Sequence, residues 1–99
     1  MSLPDPAPSI VVGSQAIALA GTAEQLTSVA IRPGHTVILK ARHTNTGYCY
    51  PASTALLAQA HHFGMGPDVA VELDIDNLDR IYVDVSVSGD YVEWLVEGR

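Results

Sequence analysis

The stretch Val69-Ala70-Val71-Glu72-Leu73-Asp74-Ile75-Asp76, with its continuation Asn77-Leu78-Asp79 and Ile81-Tyr82-Val83-Asp84-Val85-Ser86-Val87-Ser88, decides the fold class. Val69, Val71, Leu73 and Ile75 alternate with Ala70, Glu72, Asp74 and Asp76. A period of two gives a strand one apolar face and one face of acids turned to water. Ile81, Val83, Val85 and Val87 repeat the pattern against Tyr82, Asp84, Ser86 and Ser88. Asn77-Leu78-Asp79 turns the chain between the two runs, and Gly89-Asp90 turns it again into Tyr91-Val92-Glu93-Trp94-Leu95-Val96. Three successive strands with short turns predict an antiparallel meander. Val37, Leu39, Val71, Leu73, Ile75, Ile81, Val83, Val85 and Val92 hold the apolar phase of their strands and form the expected core.

Upstream the same grammar continues. Thr36 to Arg42 is a strand rich in β-branched residues, preceded by the breaker Arg32-Pro33-Gly34 and the alternating run Ser28 to Ile31. Thr44-Asn45-Thr46-Gly47 reads as a tight hairpin connection in which Asn and Gly supply positive φ. Tyr48-Cys49-Tyr50 is then the returning partner strand, ended by Pro51. Ile10 to Val12 and Ala16 to Leu19 are strand material around Gly13-Ser14, and Gly21 to Leu26 is a turn with a polar edge. Ser53 to Ala60 fits a single helical turn or an irregular crossing, and His61 to Pro67 is loop. Roughly seven or eight short strands without βαβ alternation predict an all-β fold, a single-domain antiparallel β-sandwich or barrel over residues 10–99. Pro4, Pro6 and Pro8 make residues 1–9 an extended N-terminal arm.

Composition narrows the function. The chain has 99 residues, 47% hydrophobic and 16% charged, with a formal charge of -6 and a mean hydropathy of +0.19. Two domains do not fit this length, and the apolar content is too high for disorder. Five Lys and Arg against eleven Asp and Glu exclude nucleic acid as a natural partner. No basic residue followed by an apolar run marks a signal peptide, and no segment has the length of a membrane span, so assembly in a cytosolic compartment is expected. Apolar excess in so small a chain predicts surface covered by further subunits, a homo-oligomer.

No constellation carries chemistry. Asp74 to Asp79 has the carboxylates of a calcium loop, but the sixth and twelfth positions hold Asp79 and Val85 where an EF-hand needs Gly and Glu. His61 and His62, with His35 and His43, are imidazoles without metal-ligand spacing, and adjacent strand residues point to opposite faces. Cys49, the single cysteine, lies in an apolar strand and reads as a buried thiol. No nucleophile elbow is present. Tyr48, Tyr50, Tyr82, Tyr91, Phe63 and Trp94 offer an aromatic platform for a sugar or, in the commoner use, packing at a core or interface. The expectation is a protein with no catalytic, cofactor or metal residues; the alternative is a small ligand- or carbohydrate-binding β-module.

Lys40-Ala41-Arg42-His43-Thr44-Asn45-Thr46-Gly47, the block Leu73 to Asp84 and the closing Gly89-Asp90-Tyr91-Val92-Glu93-Trp94-Leu95 together resemble small all-β virion proteins of tailed bacteriophages. The resemblance covers most of residues 10 to 97 and departs at Pro51 to Leu57, where a Gly-rich connection is usual. It implies a non-enzymatic capsid decoration, or cement, protein on the capsid surface of the virion, assembled in the host cytoplasm. Its partner would be the major capsid protein lattice, and a trimer is the favoured oligomer; a neck or tail position shares the same form. Candidate partner contacts are Leu3, Pro4, Pro6 and Pro8 on the arm, and Ile10, Tyr91 and Trp94 on strands expected at sheet edges.

Overall fold

Alternating apolar and polar side chains on short β-branched runs produce seven strands among the described residues, which in the computed structural model are 10–97. They are β1 (Ile10–Ala16), β2 (Glu24–Gln25), β3 (Thr36–Ala41), β4 (Cys49–Ala52), β5 (Ala70–Leu73), β6 (Tyr82–Val85) and β7 (Tyr91–Glu97). Two antiparallel sheets result, one ordered β1-β7-β3-β5 and the other β2-β6-β4. This is the expected all-β sandwich. Leu3, Pro4, Pro6 and Pro8 lie outside the described residues.

Directly paired residues share a face, so Val37 with Val96, Leu39 with Trp94 and Ala41 with Val92 turn inward together. Cys49, Val83 and Val85 meet them from the smaller sheet, and Ile17, Leu26, Ile31, Met65, Leu78 and Ile81 close the core from the connections. Of the expected core, Val71, Leu73 and Ile75 are only half-buried and pack at its margin, because β5 is an edge strand. Gly13 lets the Trp94 indole lie flat against β1, since a Cβ there would come within 2.7 Å of the ring.

Several local expectations give way to the two-layer topology. β5, β6 and β7 form no meander: β5 and β7 belong to the larger sheet and β6 to the smaller, so the chain changes layer at each turn. Period two specifies which face is apolar and not which layer a strand joins. Likewise Tyr48-Cys49-Tyr50 does not return beside β3, because β4 pairs with β6 across the core. Residues 44–47 are therefore a crossing between layers, and neither Asn45 nor Gly47 has positive φ. Pro51 does not end its strand but sits within β4, at the sheet edge where its missing N–H is tolerated. β7 is an interior strand between β1 and β3, so Tyr91 to Val96 is no sheet edge. Strand β1 runs unbroken through Gly13 and stops at Ala16, and Ser28 to Ile31 contributes a single bridge, Ala30 to Asn77.

The helix α1 (Ala55–Gln59) starts where Thr54 Oγ1 accepts the Leu57 N–H at 3.2 Å. It lies over β4 and β6 on the outer side of the smaller sheet and buries Ala58.

Candidate interaction surface

The outward face of the larger sheet is built in rows. Val12, Leu95 and Ile38 are register partners across β1, β7 and β3, and Ser14, Glu93 and Lys40 form the next row. The first is apolar and the second polar. Ile10, in the row beyond, is 64% exposed and Val12 68% exposed. A depression of about 480 Å³ lies among Val12, Ser14, Ile38, Lys40, Glu93 and Leu95.

Beside this apolar band stands a charged ladder. Arg42 Nε donates to Glu93 Oε2 at 2.9 Å, and Lys40 Nζ lies 3.4 Å from Glu93 Oε1. The hydrogen bond from Arg42, helped by Lys40, holds the Glu93 carboxyl below the usual glutamate range. The Arg42 guanidinium also covers the Tyr91 ring at 3.8 Å, a cation–π contact that keeps Tyr91 at the border of this face.

Ile10 and Tyr91 thus lie on the surface where partner contacts were expected. Trp94 does not. It points to the inner face of β7 and is 6% exposed, so the chain by itself offers no indole to a partner or a sugar. Tyr48 stacks on Tyr50 at 6.3 Å between ring centroids, and Tyr50 stacks on His61 at 3.9 Å. Trp94 thus lies in the core, Tyr91 at the charged ladder and Tyr48 and Tyr50 in this stack.

The polar residues that stand out in the sequence are spent inside the fold. Asn45 Nδ2 donates to the Tyr91 carbonyl at 2.8 Å, and Asn45 Oδ1 accepts the Tyr91 N–H at 2.8 Å. Asp90 accepts the N–H groups of Thr46 at 3.2 Å and Gly47 at 2.8 Å. Gly47 passes so close to Ser86 and Val87 that no Cβ fits. Asn77 Oδ1 accepts the N–H groups of Val29 and Asp79 at 3.1 and 3.0 Å, joining the segment before β3 to the one before β6. Every buried side-chain nitrogen and oxygen among the described residues has a partner.

Cys49 is fully buried, as expected, and its thiol is pushed up to about 11 by burial first and by the Asp90 charge second. Asp76 is bridged to Arg80, Nε to Oδ1 at 2.9 Å, and no group of three or more His, Cys, Asp or Glu assembles for a metal among the described residues.

Sequence reasoning missed Asp84. Its place opposite Val83 and Val85 puts it on the outer face of β6, yet the residue is fully buried because α1 and the segment after it cover that face. Asp84 Oδ1 accepts the Gly21 N–H at 2.8 Å, and Oδ2 lies 2.6 Å from His61 Nε2. His61 reaches it from a left-handed backbone, φ 58°. A buried carboxylate is tolerated only with such partners.

Comparison of the chain with protein-family models, with curated proteins and with solved structures finds no match.

Proposed function

We propose that this chain is a non-enzymatic structural protein of a tailed-phage virion, a capsid decoration protein that binds and stabilises the major capsid protein lattice. The observation that carries the proposal is the apolar patch on the outer face of the larger sheet, where Ile10 and Val12 stand exposed on the unpaired edge strand β1 beside the half-buried Leu95 and Ile38 of β7 and β3, flanked by the Lys40–Glu93–Arg42 ladder. An apolar edge in a soluble chain invites pairing with another chain. The virion resemblance names the class of partner. A net charge of -6 keeps the remaining surface soluble, and many copies on a shell make modest contacts effective through avidity. The role needs a closed homo-oligomer, with a trimer favoured, formed in solution or on the lattice.

Co-sedimentation with purified capsids tests this. The wild-type chain should pellet with the major capsid protein, and Val12→Glu should stay in the supernatant while its melting curve is unchanged. A wild-type chain that never pellets, or a Val12→Glu chain that pellets equally, overturns the assignment. Light scattering of the free protein and its position in a capsid reconstruction decide the oligomer, and monomers in both settings refute it.

A further inference from the structure

Of the four strands that end a sheet among the described residues, three are guarded against a further strand. β2 is two residues long and carries Glu24, β4 contains Pro51, and β5 is four residues long with Glu72 among them. Short length, proline and charge are the usual means of blunting an edge. β1 has none of them: Ile10-Val11-Val12-Gly13-Ser14-Gln15-Ala16 is seven residues long, without charge or proline.

Its backbone is set to receive a strand. The Ile17 N–H donates to the Asp90 carbonyl at 3.0 Å, on the side of β7, and the Arg42 N–H donates to the Tyr91 carbonyl at 3.2 Å, between β3 and β7. Alternate residues of an antiparallel strand turn N–H and C=O to the same neighbour. Val11, Gly13 and Gln15 therefore bond to β7, and Ile10, Val12, Ser14 and Ala16 turn both groups outward. The strand is also held in place. Gln15 Nε2 donates to the Gln25 carbonyl at 3.1 Å, and Gln15 Oε1 accepts the Thr27 N–H at 3.1 Å, which ties β1 to the smaller sheet.

The outward groups call for an extended, uncharged strand, and β1 of a second copy is one. A twofold axis at Val12 sets Val12 opposite Val12 of the second copy and Ile10 opposite its Ser14, so outward N–H groups meet outward carbonyls. The apolar row of Ile38, Leu95 and Val12 then continues into the same row of the second copy, the match of faces that fixes a register. Exposed Val11 falls opposite Gly13 of the second copy and the Trp94 ring lying against it. Charge does not oppose the pair. Glu93 and Glu97 of the second copy stand in one row, three strand spacings or about 14 Å apart, beyond the screening length of about 8 Å in physiological salt.

We infer that two copies of the chain pair in solution through β1, antiparallel about Val12, and join their larger sheets into one. The inference does not rest on the virion reading. A trimer then belongs to the lattice, which takes β1 from this pair.

Sedimentation equilibrium of the free chain and disulfide trapping test this. The chain should run at twice its 10.5 kDa, and a monomer or a trimer overturns the inference. Val12→Lys sets two cations across the axis and should run as a single chain with its circular dichroism unchanged; a variant that stays dimeric overturns the inference as well. Val12→Cys reads the register, because directly paired residues have Cα atoms about 5.5 Å apart, within disulfide reach. Cys49 is buried with a raised thiol pKa and stays out of the reaction. Val12→Cys should bridge at least about tenfold faster than Leu56→Cys, Leu56 being 78% exposed on α1, as a local effective concentration demands. Equal rates overturn the pairing, and faster bridging of Val11→Cys overturns the register. Capsids are absent throughout, so a free monomer that still pellets with capsids sinks the pairing alone, and a dimer that never pellets sinks only the virion reading.

Discussion

Replacing His61 with Ala removes one of the two partners of a fully buried carboxylate, Asp84, and leaves only the Gly21 N–H at 2.8 Å. Breaking a buried pair from one side costs about 3–5 kcal/mol. The His61 side chain is itself 39% exposed, so truncation admits water to Asp84 Oδ2 and the expected loss falls to about 2 kcal/mol. That is a large share of the roughly 5–15 kcal/mol that stabilises a domain of this size. Trp94, the sole tryptophan and buried, reports unfolding by fluorescence. With a urea m-value on the order of 1 kcal/mol/M, the midpoint should drop by about 2 M.

Two further variants separate the causes. His61→Gly also loses the imidazole but relieves the left-handed backbone at φ 58°, a conformation that costs an L-residue about 1 kcal/mol, so it should be less damaging than His61→Ala. Asp84→Asn keeps an acceptor for Gly21 and offers an N–H to His61 Nε2, which accepts in its other tautomer. Alone it should cost about 1 kcal/mol. In the His61→Ala background it should be neutral or stabilising, because a neutral amide is cheaper to bury than an unpaired carboxylate. An equal cost of Asp84→Asn in both backgrounds refutes the coupling, and a midpoint shift for His61→Ala of less than about 0.5 M, a quarter of the expected effect, refutes the burial argument.

Three other outcomes follow from the core and the charged ladder. Val83→Asp places an unpaired carboxylate in the middle of the core and should unfold the domain, which circular dichroism will show; a soluble variant with an unchanged melting curve contradicts the placement. Cys49, with its thiol near 11, should resist iodoacetamide at neutral pH in the native chain and react in urea, and equal labelling in both states would mean that the thiol is accessible. Glu93 has a folded pKa below its ordinary value of 4.5, so its contribution is fully present above 4.5 and fades as pH falls through the lowered value. Glu93→Gln should therefore flatten part of the loss of stability on acidification, and an unchanged acid limb would show the ladder to be energetically silent.

The fold class and most of the core were legible because period two survives in the packed molecule: Val37, Leu39, Val83, Val85 and Val92 are all fully buried. Layer assignment was not legible. The turn at Gly89-Asp90 looks like a hairpin turn, yet it carries the chain from one sheet to the other. What makes the difference is the side chain of Asp90, which binds Thr46 and Gly47 on a connection more than forty positions away. Local turn chemistry cannot report so distant a partner. Asp84 failed for a related reason, since its burial is set by α1, and Ala55 to Gln59 has too little periodicity to announce which strand it will cover.

Five polar or turn residues of the blocks Lys40 to Gly47, Leu73 to Asp84 and Gly89 to Leu95 share one physical task. Asn45 and Gly47 clasp Tyr91 and Asp90, while Asn77 clasps Val29 and Asp79, so these residues mark points where connections are tied together. A pattern made of such clasps specifies the architecture and leaves the outer faces free to vary. Contacts with a partner must then reside on side chains with no duty inside the fold. Along β1 that condition is met by Ile10 and Val12, whose exposed side chains neither fill the core nor bear charge, whereas Gly13, the next residue, is bound to its place by the Trp94 ring. Strand β1 is thus fixed on its inner side and uncommitted on its outer side, the combination that lets a surface change partner without disturbing the fold that presents it.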